Sequence, residues 1–467
     1  MRFITRRNRT IVIFFNLLFI AGCHGSDPLQ VVQPHNLGII DADITKALPV
    51  DEPIEKSRVV DSNYQNNLHS PGGSTRTDVK SIIPNSPDNH KKKIIKEKSV
   101  MDEAITDENF RNCVKSVSED YSQVTYLHCR NKDIQQVEGL DLLVNLEELD
   151  LRMNSLSNID LSKNTKLQSL NLSGNPLSAI DISQNQELGW LFLTGVPVSE
   201  IDVSHNKKLT WLNLSGTNIS TIDLSDNTLL MWLFLADSNL DAIKLNNNKM
   251  LKKVDLSGTS ISTLDISNNS KLAKLYLSDT NISAIDISNN NRLFFLDLSG
   301  TNISSFASND SGNRCGPLKR ISLSRTKIDD PSNIKMSACK KIKFIDLSNT
   351  KIRYFDPSHY QKLKELNLSG TLIETLNLNK NKNLTWLDVS KTSLPSINNL
   401  QSKKLTWLNM AETQITALNL SVQNNKNLDL KLFLALNQSI PIITVNDQQD
   451  SANYAKHYKD PVFWQVK

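Results

Sequence analysis

The chain repeats itself every 21 residues. Leucine opens successive units at positions 146, 167, 188, 209, 230, 251, 272 and 293. The series continues with Leu318, Ile342, Leu363, Leu384, Leu405 and Leu428, and Val124 opens one earlier unit. These make about fifteen units, and a fixed period of this length marks a stacked-repeat architecture. One unit, residues 209–229, reads LTWLNLSGTNISTIDLSDNTL. Its first half has the form LxxLxL, an alternation that suits a short strand with one buried face. Stacking brings equivalent positions together as parallel ladders, with the apolar side chains filling the inside. The second half, residues 219–224, reads IxxIxL and offers a second strand. The 467 residues would suggest about three ordinary domains. The repeat instead assigns most of them to one solenoid.

This pattern resembles the leucine-rich repeat family, specifically its nested 21-residue bacterial class, over residues 123–436. The first unit, 22 residues long, is similar to the internalin subtype. The resemblance implies a β-rich solenoid of parallel sheet, about fifteen coils long, behind a short helical N-terminal cap. Whether the second half of each unit completes a full sheet is left open by the pattern. If it does, the solenoid should be flatter than the usual horseshoe.

Composition follows from the repeat. The chain holds 52 Asn but only 15 Gly. A narrow coil turns with backbone amides inside, where water cannot satisfy them. By the resemblance, Asn belongs at the turn after the first strand. Here Asn154 and Asn175 hold that slot, and then mostly threonine: Thr217, Thr259, Thr280, Thr301, Thr326, Thr350, Thr371, Thr392 and Thr413. Hydroxyl bonding is expected in these coils. The second turn carries Asn164, Asn185, Asn206, Asn227, Asn248, Asn269 and Asn290, read as a structural ladder.

The N-terminus reads as an address. Arg2, Arg6, Arg7 and Arg9 precede an apolar run at residues 11–20, too short to span a bilayer well. The run ends Ile20-Ala21-Gly22-Cys23, which resembles the bacterial lipobox. That resemblance implies lipidation of Cys23, and His24 after it favours the outer membrane. Residues 23–104 are polar and without sustained period, and read as a disordered tether. The expected organisation is a signal peptide at 1–22, this tether, an N-terminal cap at 105–122, the solenoid at 123–436 and a C-terminal cap at 437–467.

Setting Cys23 aside leaves four cysteines, an even number in an exported chain. Cys113 lies in the helical segment 107–117 and is expected to pair with Cys129 on the first strand. Cys315 and Cys339 each stand in the second-turn Asn slot. Equivalent positions of neighbouring coils lie about 4.8 Å apart, within disulfide reach. A Cys315–Cys339 bond is therefore expected where the spacing stretches to 25 and 24 residues.

The third residue of each first strand points outward. This column holds five of the six tryptophans: Trp190, Trp211, Trp232, Trp386 and Trp407. Lys253, Lys274, Phe295, Arg320 and Phe344 lie between them, and the fifth-residue column adds Phe192, Phe234 and Tyr276. Two readings stand together: rings stacking from coil to coil, and a recognition surface for a protein or glycan. A column of Asp160, Asp181, Asp202, Asp223, Asp265 and Asp286 is read as solvated turn carboxylates rather than a calcium site. No metal or cofactor is expected. HExxH, GxSxG and phosphate-loop patterns do not occur, so no catalytic residue is expected. A formal charge of +4 gives no global basic face for nucleic acid. The expectation is a monomeric, membrane-anchored binding protein, with an envelope assembly factor and a host-binding adhesin as alternatives.

Overall fold

The computed structural model describes residues 103–307, 316–397 and 400–419, together with the strands Lys431–Phe433, Ile442–Val445 and Phe463–Val466. Cys23, the signal and tether up to residue 102, Cys315 and most of the C-terminal cap lie outside these residues.

A single parallel sheet of fifteen strands organises the repeats. It runs from Tyr126–His128 to Lys431–Phe433, one strand for each unit. Each strand is three residues long, and the register is fixed by the repeat: Leu191 faces Leu212, and Leu212 faces Leu233. The central residue of each strand points inward, as do the leading leucine and the residue just past the strand. Leu209, Leu212 and Leu214 are fully buried, and so are their counterparts coil after coil. Each such side chain contributes about 1.5–3 kcal/mol by leaving water.

Up to three devices end a strand. Where the fifth position is Asp or Asn, it accepts a hydrogen bond from the N–H two residues on, as Asn213 does from Ser215 and Asp297 from Ser299. A residue with positive φ follows, such as Gly216 at 68°. The Asn or Thr slot then closes the turn. Asn154 donates to the carbonyls of Cys129 and Leu151, and accepts from the N–H groups of Lys132 and Ile134. Thr217 instead donates to Leu214 O in its own coil, at 2.7 Å. The hydroxyl thus replaces a bridge between coils with a bond inside one.

The second-turn Asn side chains do run from coil to coil. Asn227 Nδ2 donates to Val203 O and Asn206 O at 2.9 and 3.0 Å. Asn185, Asn206, Asn248, Asn269 and Asn290 repeat the arrangement.

The second half of the unit forms no continuous sheet among the described residues. Isolated backbone bonds link neighbours there in many coils, for example Asn218 N to Val198 O and Asn281 N to Ile261 O. The Asp that follows then turns its carboxylate onto the next Ser N–H, Asp223 onto Ser225 at 2.9 Å. Extra strands occur where coils lengthen, Phe306–Ala307 with Ile334–Lys335, and toward the C-terminus, where Ala417–Asn419, Ile442–Val445 and Phe463–Val466 form a separate sheet.

The N-terminal cap is the helix Glu108–Val117, which covers the first coil with Phe110, Cys113 and Val114. Asp107 caps the helix at Phe110 N and also accepts from Gln135 N, which ties helix to coil. Cys113 and Cys129 are joined in a disulfide across the same junction. Cys339 is buried and disulfide-bonded.

Candidate binding face

The outward column of the sheet is in strict register. Trp190 faces Trp211, which faces Trp232, and Trp386 faces Trp407. Parallel strands set neighbours about 4.8 Å apart, close to the thickness at which rings pack. Trp386 and Trp407 stack at 4.3 Å with their planes 5° apart. Trp211 lies 5.1 Å from Trp232, 5.4 Å from Phe234 and 5.8 Å from Phe192. Tyr276 and Phe295 meet at 4.6 Å.

Cations fill the places between rings. Lys253 Nζ sits 4.7 Å from the Phe234 ring and 4.8 Å from Tyr276. Lys274 lies over Phe294, and Arg320 over Phe344 at 4.2 Å. Arg320 also reaches Glu365 two coils on, at 3.6 Å. Cation–π contacts of this kind contribute about 0.5–1 kcal/mol at exposed sites and more when desolvated.

This packing divides the row. Trp211, Lys253, Tyr276, Phe295 and Phe344 are buried, so they hold the face together rather than meet solvent. Phe192, Trp232, Phe234, Lys274, Arg320, Trp386 and Trp407 are half-buried. Trp190 stands 44 % exposed beside the packed rings. Tyr126, in the same column on the first strand, is exposed too and was not marked by the tryptophan pattern. Phe294 takes part through two lysines, Lys274 and Lys319, and sits one residue outside the column that the alternation singles out.

The fifth-position carboxylates border the rings. Burial pushes Asp255, Asp297 and Asp346 above the usual carboxylate range, against the hydrogen bonds from Ser257, Ser299 and Ser348. The second-turn carboxylates behave oppositely. Hydrogen bonds from the serine N–H groups hold Asp160, Asp181, Asp202, Asp223 and Asp265 below their ordinary value. Among the described residues, no three of His, Cys, Asp and Glu come together as a metal site.

The leucine-rich repeat family profile matches residues 166–188. The fold is that of the leucine-rich repeat proteins. Among solved structures, the functional domain of InlJ from Listeria monocytogenes, described as including a cysteine ladder, is 24% identical. It matches with a TM-score of 0.65 over 74% of this chain and 82% of its own. The internalin InlF from the same organism is 20% identical, with a TM-score of 0.59 over 66% of this chain and 96% of its own. A leucine-rich repeat protein of Leptospira interrogans is 22% identical, with a TM-score of 0.52 over 72% of this chain and 82% of its own. Comparison with curated protein sequences gives no match. A leucine-rich repeat sheet is a rigid, extended surface of the kind such solenoids use for binding.

Proposed function

We propose that the protein is a lipid-anchored envelope protein that holds a macromolecular partner, protein or glycan, on the outward face of its repeat sheet, without chemistry of its own. The observation that carries this reading is the row from Trp190 to Trp232. Trp211 is buried among rings and immobilised, while Trp190 beside it leaves a large apolar surface in water. A stiff platform loses little entropy on binding, and an exposed indole on it is a hot-spot anchor. Ile20-Ala21-Gly22-Cys23 supports attachment through a lipid on Cys23, in the outer membrane.

The test is capture of a partner from native envelopes by crosslinking, with the full chain as bait. Trp190→Ala should weaken capture about thirtyfold or more, a loss of about 2 kcal/mol, while leaving the melting temperature nearly unchanged. Loss of folding with no separable loss of capture favours the second reading, an assembly factor whose ring row only stiffens the sheet. The burial of Trp211, Phe295 and Phe344 supports that second reading. Cys23→Ala should abolish incorporation of labelled fatty acid and release the protein from the membrane fraction. The adhesin reading requires the repeats to be cleaved when intact cells are shaved with protease.

A further inference from the structure

A second surface lies along the edge where the chain enters the strands. On this edge Glu187 pairs with Lys208 one coil on. The entry edge of the coils opened by Leu318, Ile342 and Leu363 carries like charges instead, although Arg353 and Glu374 pair elsewhere on the last two of these coils. Lys319, Lys343 and Lys364 follow the opening residues in strict register, with Lys343 N bonded to Lys319 O and Lys364 N to Lys343 O, both at 2.8 Å. All three are exposed, and none forms an ion pair among the described residues. Like charges directly opposite on adjacent strands are destabilising.

The turn leading into these strands is basic as well. Lys340, Lys341 and Lys362 are exposed there, and residues 338–345, 359–364, 380–386 and 401–407 contain no Asp or Glu. A cleft opens on this edge. It is lined by Lys340 and Lys362 together with Ser358, His359, Gln361 and Asn383. The two coils that follow carry the parallel Trp386–Trp407 stack.

We infer that this edge binds an anionic glycan. The uncompensated lysine ladder calls for a polymer with repeated negative charge. The cleft adds neutral amides and a hydroxyl between two ammonium groups, which suits a ligand whose hydroxyls lie beside its acid groups. An acidic peptide can meet the same groups with its carboxylates and backbone amides, so it is the comparator that the experiment must exclude. Trp386 and Trp407 are already closed face to face, so a nucleobase has no slot between them, whereas their joint surface suits the apolar face of a pyranose. The edge is distinct from the Trp190 row, and the inference stands whether or not that row binds a partner.

The experiment is calorimetric titration of the full chain with a size-defined heparin oligosaccharide, using neutral dextran, poly-L-glutamate and single-stranded DNA of matched length as comparators. Heparin should bind, weaken with added salt, and exceed all three comparators. Lys343→Glu with Lys364→Glu should weaken it about tenfold or more, and Trp386→Ala should weaken it without changing the salt dependence. Trp190→Ala should leave it unchanged, which separates this site from the face proposed above. Melting curves of each variant verify folding, and Lys343→Gln with Lys364→Gln serves if the charge reversal fails to fold. Heparin binding that ignores the lysine changes, or no binding, overturns the site. Equal or tighter binding of poly-L-glutamate or DNA overturns the glycan assignment.

Discussion

Each coil from the one opened by Leu146 to the one opened by Leu405 places a left-handed residue at the same point after its first strand. Six are glycine, and the others include Met153, Asp237, Asp279 and Asn349. Glycine in this slot is visible in the sequence as a recurring letter. The non-glycine members are not, because nothing in an isolated Asp or Met announces a positive φ. The reason for the mixture lies in the stacking, since a side chain at one level overlies the glycine of the next. A Cβ on Gly258 would come 2.2 Å from Asp237 Oδ1, whereas one on Gly195 would meet nothing within 4 Å. Gly195→Ala should therefore cost only the left-handed strain, about 1–2 kcal/mol. Gly258→Ala should cost more, and adding Asp237→Gly should bring the two variants level in urea unfolding. The carboxylates give a second expectation. Burial raises the carboxyl of Asp297, so the folded state holds a proton more tightly than the unfolded state. Stability from this group is fully present below the unfolded value of about 3.9 and falls as pH rises through the raised value. Asp297→Asn keeps an acceptor for Ser299 N–H and removes the charge, as Asn213 and Asn367 already do in the equivalent slot. The variant should melt higher than the wild type at pH 7 and show no advantage at pH 3. A lower melting temperature at pH 7 would show that Arg325 compensates the charge. For Asp160, Asp181, Asp202, Asp223 and Asp265 the sign reverses, and their contribution is lost as pH falls through their lowered values.

At the level of the element, the first strand and its ladder of side chains follow directly from the spacing. Strand positions, the inward leucines and the coil-to-coil Asn ladder all sit at fixed offsets from the opening leucine. The second strand does not, although its letters repeat the same IxxIxL pattern. Apolar periodicity reports which side chains are buried, and Ile219 and Leu224 are buried. It does not report whether backbone groups pair, and in the second half they do so only at isolated bonds such as Asn218 N to Val198 O. The same turn bond follows both halves, Asn213 with Ser215 and Asp223 with Ser225, so it does not tell them apart either. The three polar turn devices should rank by the bonds they make. Asn154 forms four good bonds, two donated and two accepted. Asn227 donates two, to Val203 O and Asn206 O. Thr217 donates one within its own coil. A lost intramolecular bond costs about 0.5–1.5 kcal/mol, and each buried group left unsatisfied about 1–3 kcal/mol. Alanine substitution should therefore destabilise in the order Asn154, Asn227, Thr217, with Thr217→Ala costing about 1 kcal/mol. A Thr217→Ala variant as damaging as Asn154→Ala would refute the view that threonine only tidies its own turn. The candidate face was legible as a column of tryptophans. Its division into buried and accessible rings was not, because it depends on how neighbouring side chains of different size fill the space above the sheet.

For the repeat domain as a whole, the question is which length of chain is the unit of stability. Each coil contacts mainly its neighbours, so the stability of a stack is a sum of single-coil and interface terms. The similar apolar letters of the two halves would allow a half-unit to serve as the module. The structure makes the full 21-residue coil the module, because only the first half carries the ladder strand and, in the coils where Thr217 and its counterparts have replaced the first-turn Asn, only the second turn carries the Asn bridge. Deleting residues 209–229 joins Lys208 to Leu230. Trp190 then faces Trp232, and Asn248 takes over the carbonyls that Asn227 had used, one coil down. The shortened protein should unfold cooperatively, with a melting temperature close to that of the parent and a near-ultraviolet dichroism spectrum that loses the contribution of one indole. Deleting residues 219–229 alone removes Asn227 and the second turn while keeping the Trp211–Asn213 strand. The strands of the next coil then arrive half a turn out of phase, which sets Leu230 and its partners against turns instead of ladders. This protein should lose its cooperative transition or fail to fold. If it instead melts like the parent, the two halves are interchangeable and the coil is not the structural unit.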